Sequence, residues 1–152
     1  MNIGDYLKEN RIILALKSKT KDEAIREIGE CLKGSPDIVD FDGFLNGVFE
    51  REKLASTGIG QEVAIPHART SLVKDFVIAL GRSESGVEFN SVDAKSARLI
   101  FLMATPEDKG LNKYLKVLAR LSRLLQKESF REALLKADSP RAIISGFQKI
   151  EK

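Results

Sequence analysis

The chain is poor in the residues that build metal and redox sites. Its 152 residues include one histidine, His67, and one cysteine, Cys31. A single thiol cannot form an internal disulfide bond, which is typical of proteins from reducing compartments. A metal site normally recruits more than one histidine or cysteine, so metal binding is disfavoured. A Cys–His nucleophile pair is also disfavoured, because Cys31 falls on the apolar face of a predicted helix.

Long apolar runs are also missing. The longest strong run, "LIFLMA" at residues 99–104, is far shorter than the roughly 20 residues that a membrane helix needs. The N-terminal stretch "MNIGDYLKEN" is polar and carries no apolar signal core. These two absences predict a cytoplasmic protein that is not inserted in a membrane.

Charge of one sign is not in excess. The 25 basic and 22 acidic residues are interspersed, which argues against nucleic-acid binding, and the net charge of +3 would suit brief docking with acidic partners. No G-x-x-x-x-G-K-[ST] loop is present, so a nucleotide-hydrolysing P-loop is excluded.

The length and the hydrophobic pattern favour one domain, residues 1–152, that mixes strands with helices. The run at 98–104 is apolar without alternation, which predicts a central strand covered on both faces. Strands are predicted at 12–16, 63–65, 75–81, 86–90 and 98–104. Together with flanking helices they predict an α/β sandwich, a mixed sheet flanked by helices.

Capping signals mark the predicted helix starts. Capping boxes of the S/T-x-x-E type occur at Thr20–Glu23 and at Ser129–Glu132. Asp40 is a suitable N-cap for a helix of recurring apolar residues, and Ser139–Pro140 opens the last helix. A stripe of leucines on the helix between them is predicted to be core: Leu111, Leu115, Leu118, Leu121 and Leu125.

His67 lies in the stretch "GIGQEVAIPHART", residues 58–70. A lone histidine in such a protein is usually an ordinary, partly buried residue. Here Pro66 stiffens the chain directly before the ring, and Gly58 and Gly60 allow a backbone turn that can bind an anion through its N–H groups. Further donors surround the stretch: Ser56, Thr57, Gln61, Arg69 and Thr70. A neutral imidazole beside an anion site makes phosphohistidine chemistry reasonable, although spacing alone leaves both interpretations open.

Arg51 follows the last apolar residue of the second predicted helix. A solvated basic residue at a helix C-terminus is favoured by the helix dipole and explains this spacing fully. A cation that stabilises a transferring phosphoryl group is the alternative.

The stretch "REKLASTGIGQEVAIPHAR", residues 51–69, resembles the active-site signature of enzyme IIA domains of the phosphoenolpyruvate-dependent sugar phosphotransferase system. The subtype is the fructose–mannitol one, which includes nitrogen-regulatory IIA proteins. The segments 99–108 and 115–137 are similar to that family's central strand and downstream helices, so the resemblance covers essentially the whole chain.

This resemblance implies that His67 accepts a phosphoryl group from the phosphocarrier protein HPr, or a paralogue, and passes it to an enzyme IIB domain. It implies that Arg51 stabilises the phosphate and that the Thr57 hydroxyl supports the phosphate or the ring. The glycine run with Gly58, Gly60 and Gln61 becomes the expected phosphate loop. No metal or organic cofactor is expected.

One position departs from the family pattern. Many members carry a second histidine just before the leucine that corresponds to Leu115, and this chain has Tyr114 there. A tyrosine can still donate a hydrogen bond to a phosphate oxygen, but it does not share protonation near neutral pH as histidine does.

Three functions are compatible with the signature. The first is a phosphoryl relay that serves a sugar permease, and the second is a regulator that binds other proteins and is switched by phosphorylation of His67. The third, a degenerate fold that no longer carries phosphate, is disfavoured because Arg51, Thr57, the glycines and His67 are all retained.

Overall fold

Six strands form one mixed sheet in the computed structural model of the protein, which describes residues 2–108 and 111–152. The strands are β1 (Ile12–Ile13), β2 (Gly58–Gly60), β3 (Val63–Ala64), β4 (His67–Thr70), β5 (Val77–Val87) and β6 (Ala97–Pro106). Their order is β1-β5-β6-β3-β2, and β4 pairs with β6 beyond the end of β3. Strand β6 runs antiparallel to β5 and parallel to β3 and β4, which confirms the predicted mixed sheet.

Helices cover both faces of this sheet. Within the described residues the α-helices are α1 (Lys21–Gly29), α2 (Phe41–Leu54), α3 (Leu111–Leu125), α4 (Glu128–Lys136) and α5 (Pro140–Ile150). Ile100 and Leu102 of β6 join the core beneath α1 and α2, whereas Leu99 and Phe101 join the core beneath α3, α4 and α5. The prediction of a central strand buried on both faces is therefore confirmed, and so is the single α/β domain. None of the helices in the described ranges is long and apolar enough to span a bilayer.

Three of the predicted helix starts are confirmed by capping hydrogen bonds. Thr20 Oγ1 accepts from the Glu23 N–H at 3.3 Å, Asp40 Oδ1 accepts from Gly43 at 3.0 Å, and Ser139 Oγ accepts from Ala142 at 3.1 Å. Each bond satisfies one of the N–H groups that a helix N-terminus leaves free.

The second predicted capping box is wrong. Helix α4 begins at Glu128, so Ser129 lies inside its first turn, and Lys127 is an N-cap without a side-chain bond. Only two residues separate α3 from α4, and the Lys127 carbonyl accepts from the Phe130 and Arg131 N–H groups, each at 3.1 Å. The Phe130 ring lies edge-on to Phe147 of α5 at a centroid distance of 4.9 Å.

The leucine stripe of α3 is core only in its second half. Leu121 and Leu125 are buried, but Leu111 and Leu115 are 46% and 51% exposed, which corrects the prediction. The inward row of α3 begins at Tyr114 and continues through buried residues, Val117, Leu121 and Leu124. Leu111 and Leu115 therefore flank an inward-facing tyrosine instead of filling the core.

The strand predictions differ from the structure mainly in extent. The predicted strand 12–16 is reduced to β1, and the predicted strands 75–81 and 86–90 are replaced by one strand, β5, that ends at Val87. Gly86, at φ +88°, lies within a register shift of the β5–β6 pairing, so 86–90 is not a separate strand. Strands β2 and β4 were not predicted, because they are short and exist through pairing with β3 and β6.

Candidate active site

His67 is held in place by its own strand. It is the first residue of β4, opposite Met103 of β6, and Pro66 before it accepts a hydrogen bond from the Met103 N–H at 3.0 Å. His67 is 7% exposed, and its Nδ1 lies 2.9 Å from the carbonyl oxygen of Ile65. A carbonyl only accepts hydrogen bonds, so Nδ1 carries the proton and donates it. The lone pair of the neutral ring therefore lies on Nε2.

The Tyr114 hydroxyl contacts that second nitrogen. Its oxygen lies 2.7 Å from His67 Nε2, and the two ring centroids are 5.1 Å apart at an interplanar angle of 52°. Because Nε2 has a lone pair and no proton, the tyrosine O–H donates. Tyr114, where the resemblance predicts a departure from a second histidine, is thus in hydrogen-bond contact with His67.

Burial keeps both rings uncharged near neutral pH. It lowers the pKa of His67, and the neighbouring Arg51 charge lowers that pKa further. Burial also raises the pKa of Tyr114, so this phenol stays protonated. The site thus presents a neutral imidazole with a defined tautomer and a neutral hydroxyl donor.

Two arginines line the same cavity as the rings. The cavity is about 470 Å³ and is bordered by α2, β4 and the first turn of α3. Arg51 lies in the last turn of α2, where its Nη1 donates to the Ala55 carbonyl at 2.9 Å. Arg69 Nη1 donates to the Glu107 carbonyl at 3.4 Å. Both interpretations of Arg51 are thus compatible with its position, because it caps its helix and also borders the cavity.

Thr57 supports His67 from behind and does not line this cavity. Its hydroxyl donates to Glu52 Oε1 at 2.5 Å and its N–H donates to Glu52 Oε2 at 3.0 Å. Its carbonyl accepts from the Ile65 N–H at 3.0 Å. Since the Ile65 carbonyl holds His67 Nδ1, Thr57 acts on the ring through the backbone that positions it.

Glu52 supports the candidate site through Thr57, and the sequence pattern did not single it out. Its side chain is 5% exposed and forms an ion pair with Lys21 of α1 at 3.1 Å, in addition to its two bonds with Thr57. The only feature of the sequence that points to Glu52 is its position next to Arg51 in the signature. The chain has many acidic residues, so that position alone gave no reason to select it.

The structure does not bring the glycine run into the His67 cavity. Gly60 and Gln61 line a separate pocket of about 220 Å³ beside the end of α3, and the Gln61 N–H is bound to Asp93 Oδ2 at 2.9 Å. Gly60 has φ +89°, but Gly58 does not adopt a positive φ. Gly58 is needed for another reason, because a Cβ there would overlap the Ser91 hydroxyl.

Residues 5–150 match the sequence model of the family described as "Phosphoenolpyruvate-dependent sugar phosphotransferase system, EIIA 2". The chain belongs to this family. The EIIA-type chain is 38% identical over all of its residues to the PTS system fructose-specific EIIABC component of Bacillus subtilis (strain 168). It spans 24% of the length of that relative.

Solved structures of two relatives share the fold of this EIIA-type chain. The nitrogen regulatory protein IIA-Ntr from Neisseria meningitidis is 32% identical, with a TM-score of 0.88 over 95% of this chain and 98% of that one. The complex of enzyme IIAMtl with phosphorylated enzyme IIBMtl from Escherichia coli gives 25% identity and a TM-score of 0.81, covering 94% of this chain and 97% of that one. Sugar-specific and regulatory relatives are thus similar to this chain at comparable identity.

Proposed function

We propose that the protein is a phosphoryl-carrying IIA component of a fructose–mannitol type phosphotransferase system. His67 accepts a phosphoryl group from an HPr-type phosphocarrier protein and passes it to an enzyme IIB domain. The observation that carries this proposal is the placement of His67, whose Nδ1 is held by the Ile65 carbonyl and whose ring lines a cavity with two arginines. The whole chain, residues 1–152, acts as this one domain, in the cytoplasm and without entering a membrane.

The transfer step follows from this geometry. The Nε2 lone pair attacks the phosphorus of the donor's phosphohistidine, the new N–P bond forms, and the donor nitrogen leaves with the electron pair of the old bond. Negative charge spreads over the equatorial oxygens, where the guanidinium groups of Arg51 and Arg69 offer charge-assisted hydrogen bonds. The positive charge that develops on the imidazole is stabilised by the Nδ1–H bond to Ile65. The same steps in reverse deliver the group to the IIB domain.

Thr57 and Glu52 are positioning residues in this proposal. They fix the backbone that carries Ile65, and so they fix the tautomer and the direction of the ring. The glycine run has a structural role in the adjacent turn, because the Gln61 N–H already donates a hydrogen bond to Asp93. No metal or organic cofactor enters the reaction, and the sugar is contacted by other components of the system.

The test is intact-mass spectrometry of the wild type and of His67→Ala after incubation with phosphoenolpyruvate, enzyme I and HPr. The wild type is expected to gain one phosphoryl group that is lost in mild acid, and His67→Ala is expected to gain none. Because His67 is the only histidine of the chain, its replacement removes every imidazole acceptor. No gain by the wild type, or an equal gain by both proteins, would refute the proposal.

A regulatory role is the second candidate, and one observation favours it. Leu54 borders the His67 cavity and is 82% exposed, and Leu111 and Leu115, 46% and 51% exposed, flank Tyr114 along α3; we call these three leucines the apolar collar. A partner that covers this collar senses the phosphoryl group directly, so phosphorylation would switch binding. Transfer from the phosphorylated chain to a purified IIB domain supports the relay, whereas tight binding of only one phosphorylation state to another protein, without transfer, supports the regulator.

A further inference from the structure

Both nitrogens of the imidazole are occupied in this structure. The Ile65 carbonyl accepts from Nδ1 at 2.9 Å, and the Tyr114 hydroxyl donates to Nε2 at 2.7 Å. A phosphoryl group that bonds to Nε2 cannot fit beside a tyrosine oxygen that lies 2.7 Å from the same nitrogen, so this oxygen must move away. The protein as it stands therefore has a covered nucleophile.

We propose that Tyr114 is a movable hydroxyl latch: it covers His67 Nε2 in the unphosphorylated protein and donates to a phosphoryl oxygen after transfer. This inference rests on the proposed function and adds a step to it. Tyr114 is a catalytic residue in this sense, since its oxygen contacts the reacting nitrogen.

The surroundings of the two rings show which of them moves. His67 is 7% exposed and bound to its own strand at Nδ1, so its position is fixed. Tyr114 lies in the first turn of α3, its ring is half-buried, and the neighbouring Leu111 and Leu115 are exposed. Tyr114 packs against the core on one side and borders the cavity on the other, so its hydroxyl has open space into which it can move away from Nε2.

The latch needs no proton transfer. The tyrosine keeps its O–H throughout, because burial raises its pKa, and it exchanges one acceptor, Nε2, for another, a phosphoryl oxygen. The N–P bond of the donor breaks as the Nε2–P bond forms, so the hydroxyl contributes only a hydrogen bond. The charged groups around the pair are Glu50, Arg51 and Glu52 of α2 and Arg69 of β4.

Tyr114→Phe tests the latch, and Tyr6→Phe is its matched control. Tyr6 is the only other tyrosine; it packs edge-on against Phe76 at a centroid distance of 5.2 Å and does not line the His67 cavity. The first readout is nitrogen-15 NMR of the imidazole across a pH titration, which is unambiguous with one histidine in the chain. Tyr114→Phe should shift the Nε2 resonance of the neutral ring, because Nε2 loses the hydrogen bond that the tyrosine O–H donates to it.

The second readout is the lifetime of the phosphohistidine after transfer from HPr. A hydrogen bond to a charged group contributes about 1.5–3 kcal/mol, which corresponds to roughly tenfold to a hundredfold in a rate. Tyr114→Phe should shorten the half-life by about tenfold or more, and Tyr6→Phe should leave it unchanged. Tyr114→His, which restores a donor, should recover part of the lifetime.

Both readouts must respond for the latch to stand. An unchanged Nε2 resonance in Tyr114→Phe would show that the hydroxyl does not cover the nucleophile, and an unchanged lifetime would show that it does not rebind the phosphoryl group. Either result overturns the inference while a phosphorylated wild type leaves the proposed function intact. If the wild type takes up no phosphate, the proposed function fails, and a latch that acts in transfer fails with it.

Discussion

Glu52→Ala should destabilise the protein strongly, although Glu52 contacts neither His67 nor the cavity. The carboxylate accepts from the Thr57 N–H and hydroxyl at 3.0 and 2.5 Å, and it pairs with Lys21 at 3.1 Å. Its removal leaves two buried donors and one ammonium group without an acceptor. Breaking a buried ion pair in this way costs about 3–5 kcal/mol.

The lower part of that range applies here, because the Lys21 side chain is 20% exposed and regains some hydration. About 3 kcal/mol corresponds to a fall in Tm of roughly 6–12 °C for a chain of this size. Glu50→Ala is the matched control. Glu50 is on the same helix and is paired with Lys53 at 3.0 Å, but both side chains are 72% exposed, so the loss should be about 0.5 kcal/mol or less.

Thermal denaturation followed by circular dichroism measures both variants. Glu52→Gln should lie between Glu52→Ala and the wild type, since its amide oxygen still accepts from Thr57 but no longer neutralises Lys21. Phosphotransfer should also slow in Glu52→Ala, because Thr57 holds the Ile65 segment that fixes His67. Equal Tm values for Glu52→Ala and Glu50→Ala would refute the idea that this buried carboxylate supports the site.

Three further predictions concern the candidate site and the backbone around it. Arg51→Ala should slow transfer from HPr, measured by stopped flow, by at least about tenfold, because a charge-assisted hydrogen bond is lost, and it should change Tm little. The control Arg123→Ala, at the exposed end of α3, should leave the transfer rate unchanged. Because the pKa of His67 is lowered in the folded protein, the unfolded chain binds more protons below about pH 6.5. The free energy of unfolding measured with urea should therefore fall as the pH drops through that value. His67→Ala should remove this part of the pH dependence, and an identical pH dependence in both proteins would contradict the prediction. Gly58→Ala should lower the free energy of unfolding by about 1–3 kcal/mol, because the new methyl group overlaps the Ser91 hydroxyl. Adding Ser91→Gly should recover part of this loss. If the losses of the two single variants simply add in the double variant, the contact is refuted.

The sequence predicted those parts of the fold that depend on neighbours in the chain. Thr20, Asp40 and Ser139 cap helices because a short side chain reaches an N–H group three residues ahead. The central strand was also predictable, since an unbroken apolar run must be covered on both faces. The same local rule was wrong at Ser129, because α4 already begins at Glu128 and Ser129 lies inside its first turn.

The site was predictable in its residue types and not in its arrangement. The signature selected His67 and Arg51, and the structure places both at one cavity. Tyr114 comes from a helix 47 positions away, so its bond to Nε2 depends on how α3 packs against the sheet. The Thr57 hydroxyl donates to Glu52, and the Gln61 N–H donates to Asp93. The spacing of these residues in the sequence does not indicate that the two acids lie beside them.

The fixed direction of the His67 ring has a consequence for the order of events in the relay. With Nδ1 tied to Ile65, the imidazole offers one nitrogen through one opening, and it does not turn to present its phosphoryl group elsewhere. In the proposed relay, donor and acceptor proteins would therefore dock at the same entrance in turn, never together. We expect a ping-pong scheme in which an excess of unphosphorylated HPr competes with the IIB domain and slows delivery.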